Sequence, residues 1–360
     1  MKRMDEIDKK LKFNDIASGE SLDLYDIPND SFALAGIKFY GEEGFLRMPP
    51  EAAERVSEDV AVLNHHTTGG RLLFSTDSSV IEIRVGYDYL SRLRNIELSS
   101  LGFVLIERKG DVREYVKIMP PNYNNDTSYV FSVELPGDRM RDYVLYFPIV
   151  GRVRTLTVGL TAGSTVKPLN LYTTPPIVYY GSSIAQGFCA GRGDNTYEAF
   201  IEKWCERDFI NLGFSGSGRG EDAMIEYLSG LECSIFVSDY NHSGIDLDIF
   251  RTQHPKLYRE FRRTHPTTPI IILSKTCMYV SLDTIDEHER ASEQEKIIYD
   301  TYLKAKESGD ENVYFISGVG MLDMLSPTDR MSAMNDSDHP NELGFYIMAK
   351  KIYEVIKDLL

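Results

Sequence analysis

Asp336 and His339 stand three residues apart in NDSDHPNELGF, close to the end of the chain. A carboxylate at that spacing on a loop can hold an imidazole in one tautomer and leave the other ring nitrogen facing a nucleophile. The competing reading is that Asp336 and Asp338 cap the helix that Pro340 opens, with His339 a surface residue. Far upstream, YYGSSIAQGF (residues 179 to 188) sets Ser182 and Ser183 between glycines, directly after an apolar run. A serine attacks nothing without a base and a set of donors for the developing anion. Donors are available in two places. GFSGSGRGED offers closely spaced glycines whose backbone N–H groups can approach an anion. That stretch matches neither G-x-x-x-x-G-K-S/T nor G-x-G-x-x-G, which argues against a phosphate cradle. DYNHS offers the amide of Asn241, either an oxyanion donor or a turn-forming asparagine.

The elements that must position these residues are legible from apolar patterning. IVYYG (177–181), DFINLG (208–213), SIFVSDY (234–240), PIIILSK (269–275) and NVYFIS (312–317) are near-continuous apolar runs. Such runs suit strands buried on both faces of a parallel sheet. Tyr197, Phe200, Ile201 and Trp204 recur at helical spacing between the first two runs, and Met224, Tyr227 and Leu228 share a face after the second. Tyr346, Ala349, Tyr353 and Ile356 do the same in the last helix. Five strands with intervening helices predict one α/β domain, in which ligands sit where the strands end. Ser182 and Ser183 follow the first strand at that edge.

Residues 31 to 160 have a different texture, with short β-prone runs such as RLLFSTD, VIEIRVGYD, YVFSVELP and VRTLTVGL separated by turn residues. This predicts an antiparallel, jelly-roll-like β-sandwich. Ile81, Glu82, Ile83, Arg84 and Val85 alternate apolar with charged, as in a strand with one buried and one wet face. TAGSTVKPLNLYTTPP (161–176) is rich in small residues and proline and reads as a linker, giving domains at 1–170 and 171–360.

Composition limits the partners. The 360 residues, 42% hydrophobic and 26% charged, carry a formal net charge of -16. That charge disfavours nucleic acid and anionic membrane surfaces, and leaves neutral small molecules open. The start, MKRMDEIDKKLKFND, has no apolar core of a secretory signal, and no apolar run reaches membrane-spanning length, so a cytoplasmic location is expected. Cys189, Cys205, Cys233 and Cys277 lack metal or disulfide-framework spacing and are expected to be reduced and mostly buried. The seven histidines form no H-E-x-x-H pattern, and His65-His66 is expected to be an exposed loop pair. No metal or organic cofactor is expected.

In this order, GSSIAQG, FSGSG, DYN and DSDHPNELG resemble the four sequence blocks of the SGNH (GDSL-like) hydrolase superfamily, over about residues 176 to 360. Upstream, SLDLYD and YFPIVGRVRTLTVGL resemble the N-terminal β-sandwich of a two-domain subgroup. The resemblance implies a parallel five-stranded α/β/α sandwich. It also implies Ser183 as nucleophile, His339 as base and Asp336 as its orienting acid, with the Ser183 and Gly216 N–H groups and the Asn241 amide forming the oxyanion hole. Ser182 stands where the family motif has aspartate, and Asp239-Tyr240-Asn241-His242 replaces G-x-N-D, which makes His242 a candidate substrate contact. The absence of a G-x-S-x-G elbow sets the chain apart from ordinary α/β-hydrolases.

The activity implied is removal of short acyl groups through a serine ester. An acidic chain with this sandwich resembles carbohydrate acetylesterases, so the expected substrate is an acetylated saccharide. A lipid or thioester esterase, an acyltransferase, and a carbohydrate-binding protein with a decayed hydrolase half are the alternatives. Oligomeric state is left open by the sequence.

Overall fold

The computed structural model describes residues 7, 17–88, 101–121, 127–137, 139–241, 246–276, 285–336 and 338–360, with backbone alone at 285–288. Its first half runs β1 (Leu22–Ile27), β2 (Ala33–Ala35), β3 (Phe39–Gly41), β4 (Gly44–Leu46), α1 (Pro50–Val56), α2 (Glu58–Leu63), β5 (Arg71–Thr76) and β6 (Val80–Tyr87). It continues through β7 (Phe103–Lys109), β8 (Val112–Met119), β9 (Ser128–Glu134), β10 (Arg141–Tyr146), β11 (Val153–Thr161) and β12 (Val166–Pro168). Among the described residues these strands form two larger antiparallel sheets, ordered β1-β11-β6-β9 and β12-β5-β10-β7-β8 with β2 added on β5, and a two-stranded sheet of β3 and β4. Ile81, Ile83 and Val85 of one sheet share a core with Leu72, Phe74, Leu105 and Leu145 of the other.

The central strands of the second sheet, β5, β10 and most of β7, are buried on both faces. Their alternate residues Leu73, Val104, Ile106, Val144 and Tyr146 point away from the sandwich and join the core built around Tyr179, Ile184 and Tyr197. Side chains alternate along a strand, so a sheet covered twice reads as a continuous apolar run. This explains why RLLF and YVLY are not alternating.

Three features differ from the sequence expectation. Glu82, on the face expected to be wet, is 1% exposed, with Ser18 N–H donating to Oε2 at 2.7 Å and Arg84 Nε to Oε1 at 2.9 Å. The linker is tied down: Val166 to Pro168 pair with β5, and Tyr172 Oη donates to Glu202 Oε1 at 2.8 Å. Helices α1 and α2, each under two turns and too short to show a period, bury Ala53 and Val60 against Val178, Tyr180 and Leu212.

The second half comprises β13 (Ile177–Gly181), α3 (Ser183–Gln186), α4 (Tyr197–Cys205), β14 (Phe209–Gly213), α5 (Asp222–Ser229) and β15 (Ile235–Asp239). It is completed by α6 (Leu247–Thr264), β16 (Ile270–Leu273), α7 (Ile285–Glu307), β17 (Val313–Ile316) and α8 (Glu342–Ile356). The five strands are parallel in the order β14-β13-β15-β16-β17. Tyr197, Ile201, Phe345 and Met348 cover one face with α4 and α8. Met224, Leu228, Phe250 and Leu257 cover the other with α5 and α6, completing the α/β/α layers. The strand order reverses at β13, and Gly181 pairs in register with both Gly213 and Asp239. The loops after β13, β14 and β15 therefore leave the sheet side by side at a topological switch point.

Candidate active site

Ser182 and Ser183 have different surroundings. Ser182 is 1% exposed, and its Oγ has no hydrogen-bond partner among the described residues. Ser183 opens α3, is half-buried, and places Oγ 3.0 Å from His339 Nε2. His339 Nδ1 lies 2.9 Å from each carboxylate oxygen of Asp336. A carboxylate only accepts, so Nδ1 carries the hydrogen and Nε2 presents its lone pair to the Ser183 hydroxyl. Ser183, His339 and Asp336 are thus brought together in one hydrogen-bonded line.

The D-x-x-H spacing has a local cause. Asp336 Oδ1 accepts the backbone N–H of Asp338 at 2.9 Å and of His339 at 2.7 Å, closing a tight turn that returns the imidazole over its own carboxylate. Met334 and Pro340 form an isolated antiparallel bridge behind it. Helix α8 is capped instead by Asn341, whose Oδ1 accepts from Leu343 and Gly344, so the capping alternative for Asp336 and Asp338 is corrected. Partial burial opposes the Asp336 charge, but the two backbone donors and the imidazole outweigh it and hold the carboxyl below its ordinary value. The Phe188 ring packs against the imidazole at a centroid separation of 4.9 Å.

In the loop after β14, Phe214 N–H donates to Gly181 O, Ser215 N–H to Gln186 Oε1, and Ser217 and Gly218 N–H to Phe214 O. Among the described residues the Gly216 N–H has no such acceptor. Gly216 has φ +69°, where a side chain is strained, and a Cβ built there meets no atom of the described residues within 4 Å. The Ser183 N–H likewise has no acceptor among the described residues, as the first amides of a helix have none within it. Gly218 comes so close to Gly181 that a Cβ would lie 2.2 Å from its carbonyl oxygen, which locks this loop to the end of β13.

Asn241 is buried two residues beyond β15, and its Nδ2 donates to Leu273 O at 2.9 Å and to Asp239 Oδ1 at 3.2 Å. Its Oδ1 has no partner among the described residues. The amide is present at the strand end where it is expected, with its hydrogens turned toward these two acceptors. His242 lies outside the described residues, as does Cys277.

The N-terminal half also reaches this site, through residues that carry no motif. The Arg47 guanidinium, buried and held down to about 9 by that burial, donates to Asn211 O and Gly213 O at the end of β14. The expected exposed histidine pair is a correction: His66 is 6% exposed and bonds Gln186 Nε2 at 2.8 Å through Nδ1, and the His65 side chain is 16% exposed. One signal for this contact was available, the glutamine three residues after Ser183.

Cys189 and Cys233 are buried and Cys205 partly so, all three as free thiols. Donor atoms of Cys189, Asp336 and His339 lie within 4.8 Å of one another. Burial foremost, with the Asp336 charge, pushes the Cys189 thiol up to about 12, so it is a protonated neighbour of two residues already bonded to each other. Among the described residues no helix is long and apolar enough to cross a membrane.

Comparison with known proteins places this geometry. Residues 174–357 match the model of the GDSL-like lipase/acylhydrolase family, and residues 22–166 match that of the GxDLY N-terminus of SGNH-hydrolase-type esterases. No curated protein sequence matches. A crystal structure named as a GDSL-like lipase, from Bacteroides ovatus ATCC 8483, superposes with TM-score 0.84 at 24% identity, over 94% of this chain and 98% of its own. Salicylyl-acyltransferase SsfX3 from a tetracycline biosynthetic pathway gives 0.76 at 18% identity, over 94% and 97%. A family two carbohydrate esterase from Clostridium thermocellum, in complex with cellohexaose, gives 0.58 at 15% identity, over 91% and 98%. With the family model covering more than half of its length, the chain belongs to the GDSL-like lipase/acylhydrolase family and is an esterase of the SGNH type.

Proposed function

We propose that this esterase removes acetyl groups from O-acetylated oligosaccharides through an acyl-enzyme on Ser183. The observation that carries the mechanism is the contact of Ser183 Oγ with His339 Nε2 at 3.0 Å, backed by Asp336 at 2.9 Å. His339 takes the hydroxyl proton as Oγ attacks the ester carbonyl, and Asp336 stabilises the imidazolium that forms. The N–H groups of Ser183 and Gly216, which have no acceptor among the described residues, receive the oxyanion, the charge that preorganised donors stabilise most. Asn241 contributes when its second amide hydrogen leaves the longer, 3.2 Å bond to Asp239. His339 returns the proton to the departing sugar oxygen, which leaves as a hydroxyl, then takes a proton from the water that attacks the acyl-enzyme and passes it to Ser183 Oγ as acetate is released. Residues 171–360 carry this chemistry and residues 1–170 support it.

Support for a saccharide is the likeness to a carbohydrate esterase crystallised with cellohexaose, together with a net charge of -16 that favours neutral over anionic substrates. Mass spectrometry of acetylated xylo- and manno-oligosaccharides tests it: acetyl groups should be lost with the native enzyme and retained with Ser183→Ala. Cleavage of octanoyl esters in preference to acetyl esters would overturn the saccharide reading in favour of a lipase. A second reading has its own support, since the salicylyl-acyltransferase superposes better (0.76) than the carbohydrate esterase (0.58). Adding an acceptor alcohol distinguishes them, because a transferase yields the new ester in place of acetate.

A further inference from the structure

We propose that His66, from the N-terminal sandwich, is a positioning residue for the reaction: it fixes the Gln186 carboxamide that sets the loop carrying Gly216. This rests on the reading of Gly216 as an oxyanion donor.

Gln186 ends α3 three residues after Ser183 and is fully buried. Its Oε1 accepts the Ser215 N–H at 3.0 Å. A backbone amide can only donate, so this bond settles which end of the carboxamide is oxygen and directs Nε2 at His66 Nδ1, 2.8 Å away. Nε2 also only donates, which requires a lone pair on Nδ1 and therefore a neutral His66 with its hydrogen on Nε2. Burial first, then the charges of Arg47 and Arg152, lower the His66 imidazole to about 3, so the acceptor persists throughout the neutral range.

The contact is built from both sides. Thr68 Oγ1 donates to the Gln186 carbonyl at 2.8 Å, and Thr67 Oγ1 anchors the same segment to Pro148 O and Gly151 O in the sandwich. A Cβ on Gly69 would stand 3.1 Å from Asn211 Cβ, so the segment lies directly against β14. On the receiving side, Gly216 has no side chain and open space where a Cβ would be. Its carbonyl accepts from the exposed Arg219 side chain, Nε at 3.3 Å and Nη2 at 3.1 Å, and on the side of its N–H the nearest hydrogen bond is that of Ser215 to Gln186.

The test compares His66→Ala with His66→Asn, whose side-chain oxygen can occupy the place of Nδ1. Two quantities are read: kcat and KM on a chromogenic acetyl ester, and amide hydrogen exchange of Phe214 to Gly218. His66→Ala should lower kcat roughly 10-fold or more with KM little changed, a smaller loss than deleting an oxyanion donor outright, and should speed exchange at Ser215. His66→Asn should restore both. If His66→Ala fails to melt cooperatively, Gln186→Met, similar in volume but without either bond, should give the same two effects. Full kcat in the folded variants, unchanged exchange at Ser215, or His66→Asn as impaired as His66→Ala would overturn the proposal. Inactive native enzyme, or full activity in Ser183→Ala, would instead overturn the esterase mechanism, and the exchange data would still decide whether His66 holds the loop.

Discussion

Gly181 and Asp239 are the last paired residues of adjacent parallel strands, β13 and β15, so Ser183 and Asn241 each emerge two residues past the pair. The sheet itself sets Ser183 beside the third loop. The pairing also packs the carbonyl of Asp239 against Gly181, where a Cβ would stand only 2.5 Å away. Beneath the loops, the Asp239 side chain is an acid with no exposure at all.

That acid makes stability fall with pH. Burial raises the Asp239 carboxyl from 3.8 to about 7, against the opposing bonds from Asn241 and Tyr197. An acid whose folded pKa exceeds its unfolded value binds a proton on folding between the two, so stability declines as pH climbs through that window, and the penalty is complete above it. Asp239→Asn should therefore stabilise the protein by on the order of a few kcal/mol at about pH 8 and much less at about pH 5. Urea midpoints of both proteins at the two pH values measure this. An equal difference at both would mean that Asp239 is charged throughout.

The two serines should behave oppositely. Ser183→Ala removes the hydroxyl bonded to His339 and should lower kcat by roughly 10⁴-fold or more, because the three residues act as a unit. Ser182→Ala removes a buried hydroxyl with no hydrogen-bond partner among the described residues and should keep most activity. Steady-state hydrolysis of a chromogenic acetate checks both, and reversed phenotypes would reassign the nucleophile.

Asp336→Asn should leave the fold intact and cut turnover by roughly 10²- to 10⁴-fold, since a carboxamide can satisfy the imidazole in the wrong tautomer. Asp338 is exposed and touches Lys275 Nζ at 3.2 Å, so Asp338→Asn should be mild. Asp336 is held below the ordinary carboxylate value, so it keeps the charge that supports an imidazolium at pH values below the ordinary carboxylate range. The rates of the two variants test its role. Equal, small effects from both substitutions would show that His339 is oriented by another group.

The parts of this site that the sequence reveals are those written in local spacing. IVYYG is a strand over Ile177–Gly181 because a run buried on both faces has no polar interruption. The Asp336 and His339 pair is equally local, a turn closed within four residues. What escapes the sequence is held across long separations by single polar contacts. His66 and Gln186 are 120 positions apart, and neither belongs to a periodic pattern. Glu82 defeats the alternation rule because Ser18, 64 positions away, covers it. The short strand in the expected linker exists only because β5 offers an edge to pair with.

Residues 171–360 should not fold alone, because residues 1–170 contribute to the cores on both faces of their sheet. Leu73, Val104, Ile106, Val144 and Tyr146 complete the core on one side, and Met48, Ala53 and Val60 complete it on the other. Fully exposing a large apolar side chain costs roughly 1.5 to 3 kcal/mol, so losing these contacts would cancel a typical net stability of about 5 to 15 kcal/mol. Arg71, with no exposure, also pairs with Asp208 and lies 4.0 Å from the Phe209 ring centroid, so truncation removes a buried partner from β14 and its approach. Residues 171–360 expressed alone should aggregate or melt without cooperativity, and should cleave neither a small acetate nor an acetylated oligosaccharide. Residues 1–170 added as a separate chain during refolding should recover some activity on both. A soluble fragment that melts cooperatively and cleaves the small acetate at the native rate would show that residues 1–170 are dispensable for the fold and for the chemistry.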